Sequence, residues 1–259
     1  MKYYVVADVH GFFTELKQAL EEQGFFNDSE PHKLIICGDL FDRGNEAVQL
    51  QEFVLDLMGK NEIILIRGNH EDLAEELIEH APRYYSDEWT VMLSHHAHNG
   101  TVSTLEQLTG IPISKAITDT KGFVQKAKET PFIKTILPKM VDYYETKKYV
   151  FVHGWIPSTV DGKYYPSWRR ANKHKWNAAR WDNGIRLAVE NELLVPRKTV
   201  VCGHWSTSFG HHKYGNAPAE YTDGADFSPF ERKGIIALDT CTPISRKINC
   251  IVIEDKPHS

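Results

Sequence analysis

An α/β fold with its sheet covered on both faces is predicted, and three observations carry the prediction. Strand-like runs alternate with amphipathic helical segments through the first eighty residues. Those strands are apolar throughout, as expected of strands buried on both faces. Asp8, Asp39 and Asn69, each just past a strand, recur about every 30 residues, the length of one β-α-β unit.

The first strand is YYVVADVHG, closed by Gly11. FFTELKQALEEQG follows with Phe13, Leu16, Ala19 and Leu20 at helical spacing, and Gly24 is its predicted stop. KLIICGDLFDRG is the second strand and loop. NEAVQLQEFVLDLMG is an amphipathic helix with Ala47, Leu50, Phe53, Val54, Leu57 and Met58 on one side, predicted to end at Gly59. EIILIRGNHE is the third strand and loop, before a helix carrying Leu73 and Leu77. Residues 81–146, with Pro82, Pro112, Pro131 and Pro138, read as a helical insertion or cap. Strand patterns return at 147–154, 198–204, 234–240 and 246–255. Residues 205–233, rich in Gly, Pro, Ser and Asp, read as a long surface loop. The whole of 1–259 is expected to be a single domain.

Composition narrows the classes. With 41% hydrophobic and 25% charged residues the chain is ordinary globular material, not disordered or coiled coil. A net charge of −5 argues against a nucleic-acid binder or a protein held on anionic membrane. No apolar run approaches the roughly 18 residues of a membrane helix. Cys37, Cys202, Cys241 and Cys250 form no CxxC pair and lie in apolar runs. That suits buried thiols in a reducing, cytoplasmic setting better than a disulfide framework. The 13 histidines are plentiful for a chain of 259 residues, and imidazole is the commonest metal ligand.

The chemistry collects at strand ends. Five runs end in Asp8-Val9-His10-Gly11, in Gly38-Asp39 with Asp42-Arg43-Gly44 beyond, in Gly68-Asn69-His70-Glu71, in His153-Gly154 and in Gly203-His204. In open α/β sheets ligands bind at the carboxyl ends of strands. A lone His-Gly or Gly-His pair means little, since most such histidines are structural. All five together, each at a strand end, would deliver Asp8, His10, Asp39, Asn69, His153 and His204 to one place. Mixed imidazole and oxygen donors suit manganese, iron or zinc. Six donors exceed what one open catalytic ion needs and suit two ions sharing a carboxylate.

On DVH, GDLFDRG, RGNHE, VHG and GH, the sequence resembles the calcineurin-like metallophosphoesterases. More narrowly it resembles the phosphoprotein phosphatases, especially their small prokaryotic and phage members. The likeness is strong over 1–72, recognisable at 149–154, 198–204 and 234–255, and poor between. It implies a four-layer α-β-β-α sandwich with a helical insertion. It implies two transition-metal ions, manganese foremost and iron or zinc as alternatives. Asp8, His10 and Asp39 would form one metal site, and Asp39, Asn69, His153 and His204 the other. His70 would be the general acid, oriented by Asp42, and Arg43 would grip phosphate. Arg180 is the best match to the family's second phosphate-binding arginine, with Arg169 and Arg170 as rivals. The 168–176 stretch otherwise reads as a basic helix face with Trp168 and Trp176 packed inward. Trp205 and Cys241 depart from the family pattern, which carries Thr and Gly there.

The activity the resemblance implies is a serine/threonine protein phosphatase, in which a metal-bridging hydroxide attacks phosphorus in line. The alternative is a symmetrical bis(5'-nucleosyl)-tetraphosphatase, whose adenine the insertion's aromatics could receive. A catalytically silent metal-binding module is the distant third. The expected partner is thus a phosphorylated protein or a nucleotide. His95, His96 and His98 read either as pocket-lining residues or as a polar loop, and Arg67 as a structural ion-pair partner.

Overall fold

In the computed structural model, residues 1–80, 95–159, 161 and 163–257 are described. The opening of the expected insertion, 81–94, lies outside them. The first third runs β1 (Lys2–Val6), α1 (Phe13–Glu22), β2 (His32–Cys37), α2 (Ala47–Lys60), β3 (Ile63–Ile66) and α3 (Asn69–His80), as the alternation predicts. One stop signal is misread: α2 runs through Gly59 to Lys60. Asn61, at φ 58°, takes the left-handed turn instead, because Asn tolerates that conformation and Gly in a last turn does not by itself end a helix.

The insertion is helical where described: α4 (Thr101–Thr109), α5 (Ile113–Thr118), α6 (Thr120–Glu129) and a π turn over Phe132–Ile136. Val102, Leu105, Phe123, Val124 and Ala127 pack with Leu77 and Ile78 of α3 in a small core of their own. The chain continues through β4 (Tyr144–Glu145), β5 (Tyr149–Phe151), α7 (Lys173–Arg180), α8 (Gly184–Val189) and β6 (Thr199–Cys202). It ends with α9 (Thr207–Tyr214), β7 (Phe230–Arg232), β8 (Ile235–Ala237), α10 (Thr242–Ser245) and β9 (Ile251–Glu254). The expected 205–233 loop is therefore corrected. Its start is α9, capped where Ser206 accepts from the Ser208 amide, and its end is β7. Short, weakly patterned elements such as α9 and the two-residue β4 leave little periodicity to read.

There are two sheets, ordered β3-β2-β1-β9 and β4-β5-β6-β8-β7. The inner strands of each are parallel, with β9, β4 and β7 antiparallel at the edges. Strand alternation sorts the layers. Tyr3, Val5, Ile35 and Cys37 face Phe151, Val201 and Leu238 across the inter-sheet core. Tyr4, Val6, Leu34 and Ile36 face outward onto Leu16, Leu20, Leu50 and Val54 of α1 and α2. Val150, Val200 and Ile235 face Trp176, Ala179 and Ile185 of α7 and α8 on the other side. This is the expected α-β-β-α sandwich. Each fully buried aliphatic contributes roughly 1.5–3 kcal/mol of transfer free energy, so the three-layered core fixes where the parallel strands end. All four cysteines are free, Cys37 and Cys202 buried and Cys241 and Cys250 half-buried. Among the described residues no helix is long and apolar enough to cross a membrane.

Candidate metal centre

The carboxyl ends of β1, β2 and β3 meet those of β5 and β6 at one rim of the sandwich. Asp8 and His10 follow β1, Asp39 follows β2, Asn69 opens α3 after β3, His153 follows β5 and His204 follows β6. All six converge. The Nε2 of His153 lies 3.3 Å from Asp39 Oδ1 and 2.7 Å from Asn69 Oδ1. The Nε2 of His10 lies 3.7 Å from Asp39 Oδ2. Two donor groups capable of holding an ion share Asp39: His10, Asp39 and His70 on one side, and Asp39, His153 and His204 on the other. Asp8 is more recessed. Both its oxygens accept the His204 backbone N–H at 3.0 Å, and its Oδ1 lies 4.0 Å from His153 Nδ1.

Backbone conformation aims these groups. Asp8, His10, Asp39, Asp42, Arg43 and His204 all have φ between 49° and 75°. That region costs a non-glycine residue on the order of 1–3 kcal/mol and persists only where surroundings enforce it. Two glycines permit the crowding. A Cβ on Gly68 would stand 2.1 Å from Asp39 Oδ1, and one on Gly203 would stand 1.9 Å from Asp8 Oδ2.

The donor chemistry fits cations. Burial takes the His10 and His204 imidazoles down to about 3, so their metal-binding lone pairs are free of protons at neutral pH. The other ring nitrogen of His10 meets the Phe41 carbonyl at 3.0 Å, and that of His153 meets the Cys37 carbonyl at 2.9 Å. Such outer bonds fix the tautomer that leaves Nε2 for a metal. Burial, then the charges of Asp239 and Asp39, push the Asp8 carboxyl well up. Carboxylates crowded in this way call for a positive charge among them.

Around this core sits the expected second set. His70 Nδ1 is 2.8 Å from Asp42 Oδ2, and Arg43 Nη2 is 3.4 Å from His70 Nε2. Burial tends to lower the His70 imidazole, but the Asp39 charge and the Asp42 bond outweigh it, and the net shift is upward. Arg180 is engaged elsewhere. Its guanidinium bonds Asp72 at 2.8 Å, Asn177 at 2.7 Å and Asp142, and it lines no part of the cavity. Arg169 is bound to Glu145 and lies over Trp168. Arg170 is exposed on the same turn, and it too is absent from the cavity wall. Trp168 and Trp176 are buried, as the packed-inward reading expects. Arg67 is the expected ion-pair partner, bonding Asp72 and Glu75 at 2.7 Å each. His96 is buried, His95 and His98 are exposed, and it is their neighbour Asn99 that reaches the cavity.

Four contributors escaped sequence reasoning. Glu71 accepts from the Gly68, Leu40 and Asp39 amides at 2.7, 3.0 and 3.2 Å, pinning two ligand loops together. Thr101 and Thr104 each donate to Asp42 at 2.8 Å from the insertion. Asp239 lines the cavity, its carboxyl raised by burial to about 6. Glu71 sits inside the GNHE motif and Asp239 inside LDT, so a signal existed for both; nothing marks two threonines in a weakly patterned insertion.

The result is an α/β sandwich that gathers metal-ligating side chains from both sheets over a cavity of about 420 Å3. The chain belongs to the calcineurin-like phosphoesterase family, whose model matches residues 1–220. Among curated relatives, an asymmetrical bis(5'-nucleosyl)-tetraphosphatase of Anoxybacillus flavithermus is 35% identical over 28% of this chain and 32% of its own length. A symmetrical bis(5'-nucleosyl)-tetraphosphatase of Buchnera aphidicola is 37% identical over 27% of this chain and 24% of its own. The matched segments thus span about a third or less of those relatives. A solved structure of a cold-active protein tyrosine phosphatase has a similar fold over 98% of this chain and 73% of its own. Its TM-score is 0.51 and its identity 17%.

Proposed function

We propose that the chain is a metal-dependent phosphoric ester hydrolase acting on a nucleotide polyphosphate. The observation that carries the reaction class is the position of Asp39, shared by two groups of donors, with His70 and Arg43 at its side. Asp8, His10 and Asp39 would hold one divalent ion and Asp39, Asn69, His153 and His204 a second, and such a pair supplies charge neutralisation at phosphorus and an activated water. Arg43 holds the non-reacting phosphate oxygens through its planar fork. His70, as the imidazolium, holds a proton at Nε2 for the leaving oxygen, and Asp42, accepting the Nδ1 proton, orients the ring and favours that charged form. Thr101 and Thr104 keep Asp42 from turning away.

The nucleotide reading is favoured by what the two curated relatives are named for, and it reverses the order the sequence motifs suggest. The serine/threonine phosphoprotein reading has one observation in its favour, the intact His70–Asp42 pair. Purified protein loaded with manganese, then zinc or iron, should be offered diadenosine tetraphosphate and a phosphoserine peptide, beside Asp39→Asn. Release of nucleotide product that disappears in Asp39→Asn is expected. Turnover that survives Asp39→Asn refutes the reaction, and peptide turnover with inert nucleotide refutes the substrate.

A further inference from the structure

The donor cluster is buried, yet the mouth of its cavity is not sealed by polar residues. Trp181, Trp205 and Tyr221 line it and are 50%, 36% and 47% exposed. Leaving indole rings in water forgoes a large burial gain. This chain takes that gain elsewhere, with Trp155, Trp168 and Trp176 almost wholly buried. Among the described residues only four aromatic side chains are exposed to this degree, and three of them stand at this one opening.

Their ring contacts are edgewise, not stacked, among the described residues. Trp181 and Trp205 meet the His204 imidazole at 5.9 and 6.4 Å with planes at 87° and 78°. Trp205 meets Phe209 at 63°. Among the described residues neither indole has a face-to-face partner. The cavity also offers little cationic grip: among the described residues Arg43 is the only Lys or Arg in its wall, opposed by Asp39 and Asp239. With Arg180 committed to Asp72 and Asp142, recognition of the organic part of a substrate falls to flat apolar surface.

We propose that Trp181, Trp205 and Tyr221 form a stacking platform for the base of a nucleotide whose phosphates lie at Asp39, His70 and Arg43. The proposal rests on the hydrolase reading above. Planar π surfaces held by aromatic side chains bind bases with little sequence preference, each stacked base being worth roughly 1–3 kcal/mol. The exposure of these rings, set against the burial of the donors, favours a nucleotide over an aryl phosphate. A phenyl ester carries its ring on the ester oxygen itself, down among the buried donors. A nucleotide carries its base a ribose further out, where these exposed rings stand.

The test compares wild type with Trp181→Ala, Trp205→Ala and the conservative Trp205→Phe, all loaded with manganese. Diadenosine tetraphosphate, ringless inorganic tripolyphosphate and a phosphotyrosine peptide serve as substrates. Binding of ADP is followed separately by quenching of tryptophan fluorescence. We expect the ratio of kcat/KM for the dinucleotide to that for tripolyphosphate to fall roughly tenfold or more in the Ala variants, through KM. Trp205→Phe should restore most of it, and ADP quenching should weaken in step. An unchanged ratio, or undiminished ADP binding, in both Ala variants overturns the platform while leaving the hydrolase reading intact. Wild type that hydrolyses none of the three substrates overturns the hydrolase reading instead. Preference for the phosphotyrosine peptide, with the same loss in the variants, overturns the assignment to a base.

Discussion

Asp42 Oδ2 stands 2.8 Å from His70 Nδ1, and it is held there by Thr101, which donates to the same oxygen. Thr101 opens α4 of the insertion and His70 follows β3, so a segment with no recognisable motif braces the proposed acid–base residue of a motif-rich one.

The pH dependence follows from that contact. The His70 imidazole is held above its ordinary range by Asp39 and Asp42 against the effect of burial. Its proton is thus present at low pH and lost as pH rises through the raised value, and kcat should fall on that basic limb. Stability has the same sign: the contribution is complete below the ordinary imidazole pKa and disappears above the raised one. Asp42→Asn should move the basic limb of kcat toward acid by about one pH unit. A limb that stays in place in pH–rate profiles would show that another group titrates there.

Arg43 and Arg180 should separate cleanly. Arg43→Ala should lower kcat/KM by roughly 100-fold, consistent with loss of a charge-stabilising donor, and change the melting temperature little. Arg180→Met leaves Asp142 without its guanidinium partner and Asp72 with only Arg67. With both carboxylates partly exposed, the loss is about 1–3 kcal/mol. Calorimetry should therefore record a drop of roughly 2–9 °C, with kcat/KM of the folded protein within about threefold of wild type. A large catalytic loss at unchanged stability would return Arg180 to the phosphate site.

Gly68→Ala and Gly203→Ala place a methyl group against Asp39 and Asp8, at 2.1 and 1.9 Å before relaxation. Either ligand or backbone must move, so both variants should bind less than one equivalent of manganese by elemental analysis. They should lose at least 100-fold in kcat, in line with the sensitivity of catalysis to ångström displacements. Gly59→Ala, whose Cβ would meet nothing within 4 Å and whose φ, like theirs, is not positive, is the control for the loss of glycine itself. Equal losses in all three variants would assign the effect to general destabilisation.

The parallel strands and their ligand-bearing turns were legible because two signals coincided there: unbroken apolar runs and short polar motifs at their ends. Asp8, His10, Asp39, Asn69, His153 and His204 come together from that reading alone. What local sequence does not reveal has a common physical cause. Arg180 is a charged residue near the right place in sequence, but its partners Asp72 and Asp142 lie 108 and 38 residues away, and no local pattern reveals a distant ion pair. Thr101, Thr104 and Trp181 belong to stretches whose position is set by tertiary packing rather than by periodicity. Gly59 was read as a stop because local propensity was weighed without the Asn61 turn that ends the helix.

Four of the donors hang from one sheet and two from the other, with Asp8 accepting the His204 amide across the gap. Neither half of the chain can build the centre alone. Catalytic competence should accordingly appear late in refolding, only once the two layers have docked, and a chain arrested with one layer formed would be inert however native that layer looked.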